Sequence, residues 1–243
     1  SAIAEALNLY LKGSRFHIQA KQASALSGFV SDEELKAALV IAVTQSGTTT
    51  DTNRAVTMAR EKGAYIIAIV NRRQSDITTK AHGVFYTSDG RDIEMSVAST
   101  KAFYAQIVAG FVIALFMAKE LGVIPDTAIA KELAALETIP QQMHRVIESM
   151  PDIRATAWDV VRQKRYWAVV GSGANKVAAD EVRIKLSELC YKTISSDIIE
   201  DKKHIDLSAE PLILVMAAGS PEIVLEDIVK DTAIFKAHAA KVV

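Results

Sequence analysis

The apolar positions of this chain fall into two alternating rhythms. Residues 1–11 carry apolar side chains at helical spacing and reach a stop at Gly13, after which Phe16, Ile18 and Ala20 alternate as a short strand does. Leu39 to Val43 is an unbroken apolar run, the signature of a parallel strand covered on both faces, and it runs into the polar loop Thr44 to Thr50. A helix follows, with Ala55, Met58 and Ala59 at core spacing and Gly63 as its stop. Tyr65 to Val70 is the next buried strand, so the segment reads as a βαβ unit.

Val84 to Tyr86 adds a further strand, and Ser99 is placed to cap a long helix from Lys101 to about Leu121. From Pro125 to about Arg162 the pattern is helical but broken at Pro140 and Pro151, which separate helices rather than extend one. Tyr166 to Val170 then opens a second α/β segment, with a loop from Gly171 to Asn175 and a helix reaching about Lys192. Leu212 to Ala217, a loop at Gly219, a helix from near Pro221 and a strand at Val242 complete another βαβ unit. The pattern therefore predicts an α/β protein of two three-layer α/β/α lobes with parallel, flavodoxin-like sheets and ligand loops at the carboxyl ends of the strands. The predicted boundaries are 1–124 for the first lobe, 125–163 for a helical connector and 164–243 for the second lobe. Because residues 242 and 243 fall inside a strand and residue 1 inside a helix, both ends are expected to continue in a longer polypeptide.

Composition narrows the class. Half of the 243 residues are hydrophobic, enough for two cores of ordinary size. The 28 basic and 29 acidic side chains nearly cancel, so nothing marks a nucleic acid or an anionic membrane as partner, and any anion must be held locally. The single cysteine, Cys190, excludes an internal disulfide and reads as core packing on an apolar helix face. Residues 1–8 show no signal-peptide pattern, and a reducing cytoplasm fits. The apolar stretch Ile107 to Ala118 rises roughly 18 Å as a helix, short of a bilayer core of roughly 30 Å, and reads as a buried or interface helix. No His, Cys and Asp group has metal-ligand spacing.

The candidate chemistry starts at the loop Thr44-Gln45-Ser46-Gly47-Thr48-Thr49-Thr50. It follows a strand and opens a helix, where unpaired N–H groups and the positive end of the helix dipole converge on an anion. The hydroxyls of Thr44, Ser46 and Thr49 are further donors, and Gly47 lets backbone come close. The same residues also suit an ordinary capped turn, and no GK[ST] follows to make a nucleotide P-loop. A second stretch, Glu94 to Lys101, sets hydroxyls ahead of another helix.

Taken together, TQSGTTTDT resembles the SQSGETADT-type phosphosugar loop of the sugar-isomerase (SIS) superfamily. SVASTKAF closely resembles the VASTKAF segment of the isomerase portion of the glutamine:fructose-6-phosphate amidotransferases in that superfamily. The resemblance implies that Thr44, Gln45, Ser46, Gly47 and Thr49 hold the phosphate of a hexose 6-phosphate, and that Val97 and Ser99 line the sugar site. In the second lobe KLSELCY, residues 185–191, resembles the family's KLKEISY helix, which puts Glu188 on the isomerase carboxylate. His204, sixteen residues further on, stands at the separation of the family's ring-opening histidine. Lys185 and Glu188 are three apart and share a helix face, an arrangement that is also that of a solvated ion pair.

The implied reaction moves a carbonyl between C1 and C2 of an open-chain sugar phosphate. Glu188 would be the base that takes and returns the proton, Lys185 would stabilise enolate charge, and His204 would protonate the ring oxygen. The resemblance implies formation of glucosamine 6-phosphate from fructose 6-phosphate and ammonia, with no cofactor. It also implies a homodimer whose partner supplies the histidine, and a glutaminase domain or other ammonia source outside this chain. Ile205 and Asp206 stand where the family usually has glycine and proline, and Ser195 replaces a usually acidic residue. The loop Ala217-Ala218-Gly219-Ser220 lacks the donors of its first-lobe counterpart, so one phosphosugar site per chain is expected. Two other readings share these motifs: a deglycase acting on a fructosamine 6-phosphate, and a domain that senses a sugar phosphate without turnover.

Overall fold

The computed structural model describes residues 1–29, 34–91, 94, 98–160, 164–204 and 210–243. They form two compact units, Ser1–Leu136 and Glu137–Val243.

The first unit is built on β1 (Leu39–Thr44), β2 (Tyr65–Val70) and β3 (Gly83–Tyr86), an all-parallel sheet in the order β1-β2-β3. Leu39 lies opposite Tyr65, and Val70 opposite Tyr86. Strand side chains alternate between faces, so Ala42, Ile66, Ala68 and Val70 pack with Val56 and Ala59 of α3 (Thr50–Glu61) and Ile77 of α4 (Asp76–Lys80). On the opposite face Ile69 packs with Ala109 and Ile113 of α5 (Lys101–Glu120), while Ile41 and Ile3 flank them. Ile66, Ile69 and Val70 are fully buried, each contributing about 1.5–3 kcal/mol by burial. The helices α1 (Ala2–Tyr10) and α6 (Asp126–Glu137) join the α5 face, where the Tyr10 hydroxyl donates to Glu132 at 2.7 Å. Burial and that carboxylate push the Tyr10 pKa up to about 12.

By length and composition α5 is apolar enough to cross a membrane. It serves as a core helix: Ala102, Ala109, Gly110, Ile113, Ala114, Leu115 and Ala118 are buried. A β-carbon at Gly110 would lie 2.4 Å from Ile3, so the absence of a side chain lets α1 seat on α5.

Among its described residues the second unit has four parallel strands in the order β5-β4-β6-β7: β4 (Trp167–Gly171), β5 (Ile194–Asp197), β6 (Leu212–Met216) and β7 (Lys241–Val242). One face of this sheet packs Ala168, Val170 and Ile213 on Ile199 of α10 (Ile199–Lys202) and Ile228 and Phe235 of α11 (Glu222–Ala237). The other packs Trp167, Val169 and Leu212 on Ala179, Val182 and Leu186 of α9 (Ala174–Cys190). Each unit is thus helix, parallel sheet, helix, as the periodicity predicts. Pro140 and Pro151 sit in the first turns of α7 (Ile139–Glu148) and α8 (Met150–Val160), where a missing N–H costs nothing.

Four expectations need correction. Residues 16–20 form no strand despite their alternation; Phe16 is exposed, and a strand needs a hydrogen-bonding neighbour that the sheet order does not supply there. Among the described residues β1 is an edge strand, and Leu39 and Val43 are exposed rather than covered. Ser99 does not cap α5: Thr100 holds the cap position, its side chain makes no capping bond, and the Glu94 carboxylate does that work. Cys190 is exposed, because the buried stripe of α9 ends before its last turn and Tyr191 leaves the helix in a left-handed conformation. The short elements α2 (Ala23–Phe29), α4, β5 and α10 go beyond the sequence pattern, being too brief to show a period.

Candidate functional site

In the first unit the carboxyl ends of all three strands point the same way, and the loop after β1 is the best-formed feature there. Gly47 is buried with φ +68°, and a β-carbon on it would come within 2.0 Å of Ser75 Oγ. Only glycine fits, on grounds of both conformation and space. Its N–H donates to Thr44 Oγ1 at 3.2 Å, and its carbonyl accepts from Ile77 N–H at 3.1 Å and from Asn53 Nδ2 at 3.0 Å. Asn53, buried in the first turns of α3, also donates to the Thr49 carbonyl at 3.1 Å and accepts from Lys80 Nζ at 2.9 Å. Sequence reading passed over Asn53, although an amide four residues after a helix cap is a visible signal.

Thr49 is the N-cap of α3 and its carbonyl accepts from Asn53 N–H, the first bond of the helix. The N–H groups of Thr50, Asp51 and Thr52 precede any intrahelical acceptor, and Ser46 Oγ accepts from Thr48 N–H and hydroxyl at 3.3 and 3.1 Å. Thr49 is exposed, Ser46 half-buried and Thr44 buried. Such a turn, with unpaired amides, hydroxyls and a helix dipole converging, suits an oxyanion.

Gln45 is placed differently from its neighbours. Its carbonyl accepts from Asn71 and Arg72 N–H at 3.2 and 3.1 Å, and its side-chain amide donates to the Glu94 carbonyl. Asn71 closes the circuit, its Oδ1 accepting from Glu94 N–H at 3.4 Å and its Nδ2 donating to Thr87 Oγ1 at 3.3 Å. Gln45 therefore ties the β1 loop to the second hydroxyl-bearing stretch. In that stretch Glu94 accepts from the N–H groups of Thr100 (2.7 Å) and Ala102 (2.6 Å) and from the Thr100 hydroxyl (3.2 Å), with Ser99 Oγ at 3.5 Å. Val97, an expected sugar contact, lies outside the described residues.

The N–H groups of Thr100 and Ala102 hold the Glu94 carboxyl below the usual carboxylate range. A carboxyl whose pKa is lowered on folding stabilises the fold above its unfolded pKa, and that contribution disappears as pH falls through the lowered folded value. Glu94→Gln is expected to lower the melting temperature by a few degrees at pH 7, the loss of one helix cap of about 1 kcal/mol. The difference from the unsubstituted protein should shrink as pH drops below the ordinary carboxylate range; a gap that stays constant down to pH 3 would refute the capping role.

In the second unit α9 carries Lys185 and Glu188 on one face, and brings in a third group. Lys185 Nζ is 3.0 Å from Glu181 Oε1 but 3.8 Å from Glu188 Oε2. Glu181 is thus the closer partner, and it leaves the Glu188 carboxylate, with 39% of its side-chain surface exposed, loosely held. Glu181 escaped sequence reading, though its i,i+4 spacing to Lys185 is a recognisable signal. His204 follows α10 and is exposed; among the described residues its ring makes no hydrogen bond or ion pair, whereas its backbone N–H donates to Asp201 at 3.1 Å. Ile205 and Asp206 lie outside the described residues. The neighbouring Lys202 is buried, with Nζ 3.7 Å from Asp197 and 3.4 Å from Ser195 Oγ, and so does not belong to a solvated surface run.

The loops after β4 and β6 lean on each other. Asn175 Nδ2 donates to the Ala218 carbonyl and to Ser220 Oγ, both at 3.1 Å, and Gly171 lets the first turn of α9 approach within 2.4 Å of where its β-carbon would be. The hydroxyl-rich cradle of the β1 loop has no counterpart here among the described residues.

Residues 1–116 match the SIS domain family. Those residues, just under half of the chain, are an SIS domain. An SIS protein similar in sequence is the glutamine–fructose-6-phosphate aminotransferase (isomerizing) of Streptomyces coelicolor, 35% identical over 185 residues, which are 75% of this chain and 30% of that one. This SIS chain therefore spans less than a third of the length of that relative. In structure it resembles the C-terminal domain of glucosamine-fructose-6-phosphate aminotransferase from Francisella tularensis, with a TM-score of 0.87 at 22% identity over 99% of this chain and 68% of that one. The glucosamine-6-phosphate deaminase of Thermotoga maritima has the same fold, with a TM-score of 0.70 at 13% identity over 99% of this chain and 70% of that one. At such identities the likeness is one of fold alone.

Proposed function

We propose that this SIS chain is the phosphosugar-isomerase portion of a glutamine–fructose-6-phosphate aminotransferase, turning fructose 6-phosphate and ammonia into glucosamine 6-phosphate. The observation that carries the reading is the β1 loop, a strand-to-helix turn held open by Gly47 and Asn53 with amides and hydroxyls gathered at one point. In this reading Thr44, Ser46, Gly47 and Thr49 hold the phosphate, and Gln45 acts by fixing the Glu94 stretch on which Ser99 stands. The phosphate needs no metal, because the donors are neutral and the dipole of α3 supplies the positive potential.

The proton work falls to the second unit, of this chain or of a second copy. Glu188 takes the proton from C1 of the open-chain sugar and returns it to C2, and its loose hold on Lys185 leaves it able to change partner. Lys185, held beside Glu181, faces the oxygen on which enolate charge develops, while the exposed His204 protonates the ring oxygen on opening. A homodimer, an ammonia-supplying glutaminase and a cytoplasmic setting belong to the same reading. Exposed Val146, Ile147, Met150 and Ile153 on α7 and α8 offer an apolar surface that a second copy can cover.

Ser46→Ala tests the phosphate assignment. Calorimetric titration with fructose 6-phosphate is expected to show affinity lowered about tenfold, the worth of one hydrogen bond to a charged group. Undiminished affinity in the variant would sink the assignment.

A further inference from the structure

At the carboxyl ends of β2 and β3 lies a shallow, open cleft of about 630 Å³ lined by Arg73, Tyr86, Thr87, Ser88, Asp89 and Arg91. Its main cation is held in place. The Arg73 guanidinium lies 4.5 Å from the centroid of the Tyr86 ring, and its Nη2 reaches the Ser88 carbonyl at 3.4 Å. On the far side Gly90, at φ +97°, admits the arginine: a β-carbon there would stand 3.3 Å from Arg73 Nε. Arg91 adds a second guanidinium, paired with Asp89 at 3.3 Å in an exposed ion pair that opens at little cost. Counting Asp89, the cleft keeps one net positive charge, with planar N–H forks suited to a carboxylate or phosphate.

Through Asn71, hydrogen bonds link the β1 loop to the cleft. Thr87, which lines it, accepts from Asn71, and Asn71 N–H donates to the Gln45 carbonyl. β1 and β3 are separated only by β2, so two interstrand spacings put the two strand ends about 10 Å apart. The roles proposed above for the fructose 6-phosphate reaction leave both arginines unassigned.

We propose that Arg73 and Arg91 form a second anion subsite, which receives a carboxylate or phosphate at the end of a hexose 6-phosphate remote from C6. Fructose 6-phosphate fills only the β1 loop. A derivative bearing an acid at or beyond C1, a 1,6-bisphosphate or the 6-phosphate of a fructose–amino acid adduct, fills both sites and extends the range of ligands to such acids. The proposal rests on the phosphate assignment of the β1 loop and is independent of the reaction catalysed.

The full chain titrated calorimetrically with fructose 6-phosphate, fructose 1,6-bisphosphate and the 6-phosphate of fructose–aspartate tests it. At least one of the two diacids is expected to bind tenfold or more tightly than fructose 6-phosphate, and which one gains tells phosphate from carboxylate. Arg91→Gln and Arg73→Gln should each erase most of that gain and leave fructose 6-phosphate affinity unchanged; Arg91, being exposed, can be replaced without disturbing the fold. Equal affinity for all three ligands, or a gain that survives both substitutions, overturns the subsite while Ser46→Ala still weakens fructose 6-phosphate. If Ser46→Ala leaves every affinity unaltered, the loop assignment itself fails and the subsite falls with it.

Discussion

Glu188→Gln is expected to slow proton exchange at C2 of glucosamine 6-phosphate by about 10²–10⁴-fold, the usual contribution of a positioned acid–base group. The measurement is NMR of deuterium entering that carbon from heavy water, with the unsubstituted protein as reference. Because the Glu188 carboxylate is partly exposed and 3.8 Å from Lys185, its replacement removes little that holds the fold, and the melting temperature should stay within about 2 °C. Ligand affinity should also hold, since in the proposed reading the phosphate is held by the β1 loop. Exchange that persists in the variant would remove Glu188 from the reaction. No exchange in the unsubstituted protein, with saturable binding of fructose 6-phosphate, would instead favour a domain that senses the sugar phosphate without turnover.

Gly47→Ala should have the largest effect on binding. The new methyl would meet Ser75 Oγ at 2.0 Å and Ser75 Cβ at 2.6 Å, and alanine is strained at φ +68°. Left-handed backbone strain and overpacking each cost about 1–3 kcal/mol, so the protein should lose about 2–6 kcal/mol in urea denaturation. The loop amides should lose their convergence, and fructose 6-phosphate affinity should fall by more than in Ser46→Ala. Adding Ser75→Gly removes the collision with Ser75 but neither the 3.1 Å approach of Ile77 nor the strained dihedral, so recovery should be partial. Full recovery in the double variant would mean that crowding alone, and not the backbone conformation, demands glycine here.

How much of the site was legible depended on the kind of signal. The β1 loop was, because strand, loop and helix are contiguous in sequence and the hydroxyl residues fall inside one turn. The Glu188 and Lys185 pair was visible too, since three residues on a helix bring side chains to one face. Glu94 was read only as part of a hydroxyl stretch. Its role as cap of α5 joins its carboxylate to N–H groups six and eight residues further on, and no local propensity announces that. Gln45 looked like a phosphate ligand by position, and its bond to the Glu94 carbonyl spans 49 residues. The arginine cleft was invisible for the same reason: Arg73 and Arg91 lie 18 residues apart and converge only because β2 and β3 pair in parallel register.

The sequence by itself determined the class of fold, the strands read at Leu39–Val43, Tyr65–Val70 and Leu212–Ala217 to within a residue of their ends, the long helices, and the two hydroxyl-bearing stretches. These are local properties, set by the period of apolar side chains and by glycine and proline at the ends of elements. Tertiary structure alone decided that residues 16–20 are no strand, that β1 is an edge among the described residues, that Cys190 is exposed, and that Lys185 leans on Glu181 rather than Glu188. A strand exists only with a neighbour to receive its hydrogen bonds, and burial only with something to cover it. Both depend on which distant segments meet, and a one-dimensional pattern does not contain that.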